Sequence, residues 1–357
     1  MARLFEPLKL RSITLKNRIS VSPMCMYSSV DGFATDWHLV HLGSRAVGGA
    51  GLVLSEAAAV SPEGRITPDD LGIWKEEHIP MLQRITAFIS AQDAVPGIQL
   101  AHAGRKASHR SPWKGGAAIP ADQEGGWQTV APSAVSFQDS EPAPAELTLE
   151  GIQKVITDFE KAAMRALEAG YKVIELHAAH GYLLHEFMSP LSNFRTDHYG
   201  GSFENRIRLV VEITERVRQV WPQDYPLLVR ISATDWTEGG WTEDDSVALA
   251  TILQDKGVDL IDCSTGGNVP KAAIPVGPGY QVRFAESIRR KTRLLTGAVG
   301  MITTPQQAEH IIASGQADLV LLARELLRDP YFPLHAAREL GADIAWPPQY
   351  ERAKPRQ

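Results

Sequence analysis

The chain has 357 residues, 44% of them apolar, which is enough to fill a large core and ordinary for an α/β barrel with insertions. Its 36 Lys and Arg stand against 42 Asp and Glu, a net charge of −6, with no dense basic run and no stretch of 18 apolar residues; this argues against nucleic acid, an anionic membrane surface or a spanning helix. Two isolated cysteines, Cys25 and Cys263, are too few for a disulfide framework, an iron–sulfur cluster or a thiolate zinc site.

Taken in chain order, the opening "MARLFEPLKLRSITLKNRIS" has no apolar run followed by a small-residue cleavage site, so a cytoplasmic protein is expected. Apolar strand candidates follow at 18–22, 51–56, 97–101, 172–176, 227–231, 259–263, 294–298 and 318–323. Helix-period segments separate most pairs. Between the third and fourth strands, Ile152, Val155, Ile156, Phe159, Ala163, Ala166 and Leu167 form one stripe, with Thr148 as N-cap and Gly170 as stop. Before the eighth strand, Thr304, Pro305 and Gln307 stand in capping-box order, with Gly315 as the stop. His38 and His41 fall in a helical stretch and read as structural.

Eight near-continuous apolar strands alternating with helices predict a (β/α)8 TIM barrel, both faces of whose sheet are buried. An open doubly wound sheet is the rival, but no Gly-rich dinucleotide turn follows the first strand. Residues 102–147 break the rhythm with Gly, Pro, Ser and Ala, and we expect this capping loop to hold a short hairpin over the barrel mouth. Residues 345–357 form a polar, Pro-rich C-terminal extension, and nothing divides residues 1–357 into two domains.

In such barrels the chemistry sits at the C-terminal strand ends. The first strand ends in Ser22, Pro23, Met24 and Cys25, with Tyr27 close behind; the second ends in Glu56 and Ala57, and the third carries Gln99. The fourth runs into His177 and His180, the fifth holds Arg230, and "STGG" (264–267) follows the sixth. Gly297, Ala298 and Gly300 follow the seventh, and Ala323 and Arg324 the eighth. Small residues before helices suit a phosphate on backbone N–H groups, with Arg324 as a charged clamp. Gln99 offers a donor and an acceptor together, as the pyrimidine edge of a flavin requires. Arg230 inside a strand must be paired, and an anionic reduced flavin would serve. His177, His180 and His185 in "HAAHGYLLHEF" could instead be metal ligands, although the spacing is not HExxH and no acidic ligand is obvious. Arg105 and Lys106 could meet cofactor phosphates or lie on a solvated loop, and Trp113 and Trp127 could cover the pocket or pack the loop.

Several long stretches in the right order resemble the Old Yellow Enzyme family of FMN-dependent ene-reductases. They are "LKNRISVSPMCMYSS", "GLVLSEAAAVSPEGRITPDDLGIW", "IQLAHAGRKAS", "ELHAAHGYLLHEFMSPLSNFRTDHYGGSFENRIR", "LLVRISATDW" and "LVLLARELLRDP". The similarity is greatest to the thermophilic-like branch, which includes bacterial xenobiotic reductases. The resemblance implies FMN as cofactor and NADPH or NADH as reductant. It implies flavin contacts from Ser22, Pro23, Met24, Cys25, Ala57, Gln99, Arg230, Gly300, Ala323 and Arg324. It makes His177 and His180 the grip on a substrate carbonyl oxygen, Tyr182 the proton donor, and Tyr27 a wall of the substrate pocket. It also implies a homodimer or homotetramer in which Arg352 reaches a neighbouring subunit's site, although the tail departs from the family pattern after Arg352. The expected reaction is reduction of the C=C bond of α,β-unsaturated carbonyl compounds, nitro compounds included as candidates, with an enone as the small-molecule partner. The alternatives are another FMN barrel dehydrogenase, a metal-dependent barrel lyase or hydrolase, and a barrel that binds a small molecule without catalysis.

Overall fold

The structure is a computed structural model and describes residues 2–355. Eight parallel strands close into a barrel in chain order: β1 (Ile19–Val21), β2 (Leu52–Ala59), β3 (Val95–Ala101), β4 (Val173–Ala178), β5 (Leu227–Ser232), β6 (Leu260–Ser264), β7 (Leu295–Ala298) and β8 (Leu319–Leu322). β8 pairs back onto β1, with Leu321 opposite Ser20, which closes the ring. The eight strands fall on the eight apolar runs of the sequence, their ends within three residues of those expected. The main helices between and after them are α1 (Asp36–Val47), α2 (Ile79–Ala91), α3 (Leu149–Glu168), α4 (Arg208–Val220), α5 (Glu243–Asp255), α6 (Val282–Lys291), α7 (Pro305–Ala313) and α8 (Phe332–Glu339). No helix among the described residues is long and apolar enough to cross a membrane.

The expected helix signals act locally, with two departures. Thr148 accepts from Gly151 N and starts α3, and Gly170, at φ +87°, lies just beyond its end. The α3 stripe is buried except for Leu167, which is 36% exposed; Ala162 takes that place on the inner face. Thr304 accepts from Gln307 N at 3.2 Å, but the Gln307 side chain returns to Thr303 N rather than to Thr304, so the capping box is shifted by one residue.

What positions the site is the period of two along the strands. Leu52, Leu54, Val173, Leu228, Leu260, Leu319 and Leu321 form an apolar cluster inside the barrel, apart from the core between strands and helices. Two residues further along the same strands come Glu175, Arg230 and Asp262, pointing into the same interior. Two further again come His177, Ser232 and Ser264, at the mouth. The interior is therefore apolar at its base, ionic in the middle and reactive at the top.

The base is plugged by a hairpin of Leu8–Leu10 with Ile13–Leu15, which the sequence reading did not include. Leu8, Leu10 and Leu15 join the interior cluster. The turn puts Arg11 at φ +53°, held by its guanidinium on Asp259 at 2.7 Å and on Gln223 O at 2.6 Å. The 102–147 excursion differs from the expected hairpin. It contains one antiparallel bridge, His109 with Ala118, and a two-residue parallel pairing of Val130–Ala131 with Ala145–Glu146. Side chains rather than a ladder fix it: Trp127 donates to Glu63 O at 2.9 Å, and Arg105 donates to Asn268 O at 2.7 Å.

Candidate functional site

β4 runs two residues past its expected end, so His177 lies within the strand, in register with Arg230 of β5. The chain then leaves the barrel sharply. His180 and Gly181 take φ of +61° and +71°, and the turn abuts the β6 loop backbone to backbone. A Cβ on Gly181 would lie 2.2 Å from Gly267 O, and one on Gly267 would lie 2.7 Å from His180 Cα, so only glycine fits at either position. Three bonds fix the turn further. His180 N donates to Ser232 Oγ at 2.9 Å, and Lys106 Nζ donates to His180 O at 2.8 Å and to Gly267 O at 3.0 Å. Gly181→Ala is expected to displace His180 by about 1 Å and to slow any reaction at this mouth roughly 100-fold while the barrel stays folded. Steady-state kinetics beside circular dichroism checks this.

This packing brings His177, His180 and Tyr182 together. The His177 ring lies 5.1 Å from that of His180 and 5.0 Å from that of Tyr182, both edge-on. His180 Nε2 is 2.7 Å from Ser264 Oγ, and His177 Nδ1 is buried with no protein partner. Burial first, then the nearby Arg230 charge, hold both imidazoles well below their ordinary pKa, so both are neutral near pH 7. Burial first, then Cys25, Tyr27 and Asp70, push the Tyr182 phenol above its ordinary value, so it keeps its proton.

His185 does not belong to this set. It is fully buried, accepts from Gly181 N at Nδ1 (2.9 Å) and pairs with Asp235 through Nε2 at 3.0 Å. Its role is to hold the turn that carries His180. No cluster of three or more His, Cys, Asp or Glu side chains able to hold a metal occurs among the described residues.

Across the mouth, Tyr27 takes φ +47°, and its ring meets Trp113 edge-on at 5.7 Å. The β1 loop is braced from behind by Glu56, which accepts from Met26 N and pairs with the buried His38 at 2.7 Å. Ser22 is buried and accepts from Arg230 Nη1 at 3.0 Å; Ala57 is buried next to a β-bulge, and Cys25 is a free, partly exposed thiol. Burial first, then Asp70 and Glu56, keep that thiol protonated. On the β7–β8 side a cavity of about 470 Å³ is lined by Gly300, Met301, Ala323, Arg324, Gln281 and others. Gly300, at φ +119°, leaves room that a Cβ would take from Gln281, 2.7 Å away. Arg324 has no ion-pair partner among the described residues. Arg352 stands apart, exposed on the Glu351–Ala353 turn beyond Tyr350, whose ring lies 6.2 Å from Tyr331. A larger hollow of about 550 Å³ lies beneath the tail, where Lys354 and Asp343 pair with each other at 2.6 Å.

Beneath the histidines lies a charged layer that the sequence reading only touched through Arg230. Gln99 Nε2 donates to Glu175 Oε1 at 2.7 Å, and Arg230 Nε lies 3.2 Å from Asp262 Oδ2. Arg230 thus has a protein counter-ion and does not depend on a ligand for one. Glu175 and Asp262 were legible by the same logic, since a charge within a buried strand must be paired. Of the two readings of Arg105 and Lys106, the structure disfavours the solvated loop. Arg105 is buried on Asn268, and Lys106 is drawn onto two carbonyls, so neither lies on a solvated loop.

These residues suit a flavin mononucleotide. The glycine-floored cavity with Arg324 fits a phosphate, and the unpartnered His177 Nδ1, with Gln99 and Arg230 behind it, fits a polar ring system at the mouth. Fold and site together define a parallel-barrel flavin oxidoreductase. The chain belongs to the NADH:flavin oxidoreductase / NADH oxidase family, whose model matches residues 3–343. It is 51% identical over 355 residues to the NADPH dehydrogenase of Bacillus subtilis, covering 99% of each chain. Among solved structures it is similar to morphinone reductase in complex with tetrahydroNAD, with a TM-score of 0.78, 27% identity, and 97% and 93% of the two chains covered. It is likewise similar to an Old Yellow Enzyme homologue from Zymomonas mobilis, with a TM-score of 0.78, 26% identity and 99% of each chain covered. The protein is an Old Yellow Enzyme-family oxidoreductase that uses FMN with NAD(P)H as reductant.

Proposed function

We propose that the protein reduces the C=C bond of alkenes conjugated to a carbonyl, with nitro-activated alkenes in the same class, and that Tyr182 supplies the proton. The observation that carries this reading is the close, edge-on set of His177, His180 and Tyr182 at the end of β4, where burial favours neutral imidazoles and a protonated phenol. FMN, when bound, supplies the electron pair that it takes from NADPH or NADH. Ser22, Pro23, Met24, Cys25 and Ala57 would line its ring, Gln99 and Arg230 its pyrimidine edge, and Gly300, Ala323 and Arg324 its phosphate.

A conjugated alkene accepts electrons at its β-carbon because charge moves onto the carbonyl oxygen. His177 and His180 meet that charge with N–H groups. Losing one such donor costs on the order of 3 kcal/mol of barrier. His180 Nε2 is engaged by the Ser264 hydroxyl at 2.7 Å, which orients the ring and leaves Nδ1 as the nitrogen without a protein partner in that contact. Tyr182 then gives its proton to the α-carbon, and burial keeps that proton in place until a strongly basic carbon appears. Tyr27 walls the alkene from the other side. Arg352 lies away from the mouth of its own chain, so a catalytic role for it requires a second copy in a dimer or tetramer.

The deciding experiment is an anaerobic visible spectrum of the holoenzyme. NADPH should bleach the flavin and cyclohexenone should restore its colour; bleaching without recovery would reject the alkene reading and leave another FMN dehydrogenase. Tyr182→Phe is expected to slow reoxidation by the enone by about 10²- to 10⁴-fold while bleaching by NADPH keeps its rate, which stopped-flow absorbance resolves.

A further inference from the structure

The middle layer of the barrel holds two acids, Glu175 and Asp262, that the reaction above does not use. Glu175, Arg230 and Asp262 are buried, the two carboxyls at 0% exposure. Gln99 occupies one oxygen of Glu175, while Glu175 Oε2 and both Asp262 oxygens have no hydrogen-bond partner. Gln99 from β3, Arg230 from β5 and Asp262 from β6 face the Glu175 carboxyl, and His177 follows two residues on along its own strand. Two acids thus share one guanidinium in a space closed to water below by leucines. The same Gln99 and Arg230 stand at the flavin side of that layer, and Arg230 reaches up to Ser22 at 3.0 Å.

We propose that the Glu175–Asp262 carboxyl pair, buried beside Arg230 with three of its four oxygens short of hydrogen-bond partners, is a redox-coupled proton acceptor, which takes up one proton as FMN is reduced and releases it as FMN is reoxidised. In the first half-reaction NAD(P)H gives the flavin two electrons and one proton and becomes NAD(P)+. The flavin then carries one more negative charge. That charge raises the proton affinity of any carboxylate sharing its low-dielectric surroundings, and a proton from water converts one carboxylate of the pair to the acid. No further oxidant or reductant is needed. Burial first, then Asp262, raises Glu175 to about 8 against the opposing pull of Arg230, so the pair titrates within reach of neutral pH. As the two acids share one guanidinium, the proton belongs to the pair. One arginine among two acids explains why the pair can accept it, since Arg230 can neutralise only one carboxylate.

The reading rests on FMN at this mouth and not on which alkene is reduced, because the test contains no alkene. The flavin midpoint potential of the holoenzyme is measured by spectroelectrochemistry from pH 6.5 to 9.5. One proton per electron pair changes the equilibrium tenfold per pH unit, about 30 mV; two protons change it a hundredfold, about 60 mV. The unaltered enzyme should show the smaller slope below pH 8 and the larger slope above it. Glu175→Gln, which keeps an acceptor for Gln99, should show the smaller slope throughout. A single small slope in the unaltered enzyme overturns the proposal. So does a steep alkaline slope that survives in Glu175→Gln, which would move the proton to Lys106, itself lowered to about 8 by burial. Should Glu175→Gln not retain FMN, the unaltered holoenzyme at pH 8.5 must gain a protonated-carboxyl band in its reduced-minus-oxidised infrared spectrum; no gain rejects the idea.

Discussion

Replacing His180 by alanine should lower the rate constant for reoxidation of the reduced enzyme by an enone about 10²- to 10³-fold, with flavin content unchanged. The magnitude is that of one oxyanion donor removed from a buried site. His177→Ala should do the same, and the double variant should fall well short of the product of the two, because donors to one oxygen act as a unit. Flavin content should hold, because the phosphate cavity is built on the β7 and β8 loops and does not include either histidine. The two imidazoles are held well below their ordinary value near 6.5 by burial and Arg230. The rate should therefore show no histidine limb between pH 6 and 8. Stability has the matching sign: a base with a depressed folded pKa contributes fully above its unfolded value and loses that contribution as pH falls below it. A rate that halves as pH rises through about 6.5, without loss of fold, would mean that one histidine works as the cation.

The barrel was legible because a parallel sheet buried on both faces writes its strands as apolar runs, and because caps such as Thr148 and stops such as Gly170 are local. The mouth residues followed from strand ends and from the family resemblance. The unread parts have separate causes. The N-terminal hairpin has strands of only three residues, too short for alternation to register, and its turn uses Arg11 at positive φ instead of glycine. The 102–147 excursion is held by contacts distant in sequence, such as Arg105 on Asn268, and no local pattern reports those. His185 reads like its two neighbours in sequence; only the helical turn from Leu183 to Met188 sends it inward to Asp235. The ionic layer was half read. Arg230 stands out as a charge within a strand, while Glu175 and Asp262 each sit inside a short apolar run that hides them, and with them the counter-ion that Arg230 already possesses.

That counter-ion makes Arg230 a position where substitution should harm the fold strongly. Arg230→Met removes the one cation among two fully buried acids. Glu175 is protonated below about 8 and tolerates the loss, but Asp262 keeps a charge or must be protonated at a cost. Removing one partner of a buried pair typically costs about 3–5 kcal/mol. In a chain of 357 residues that is a fall of roughly 4–7 °C in Tm. Flavin should be lost at the same time, because Ser22 and the pyrimidine edge lose their donor. The double variant Arg230→Met/Asp262→Asn separates the two effects. With no charge left to strand, it should regain at least half of the lost stability in thermal unfolding while still purifying with little flavin. If asparagine at 262 restored nothing, the guanidinium would owe its structural weight to Ser22 and the β1 loop, not to Asp262. If it restored flavin as well, Arg230 would matter to the cofactor only by keeping the barrel interior neutral.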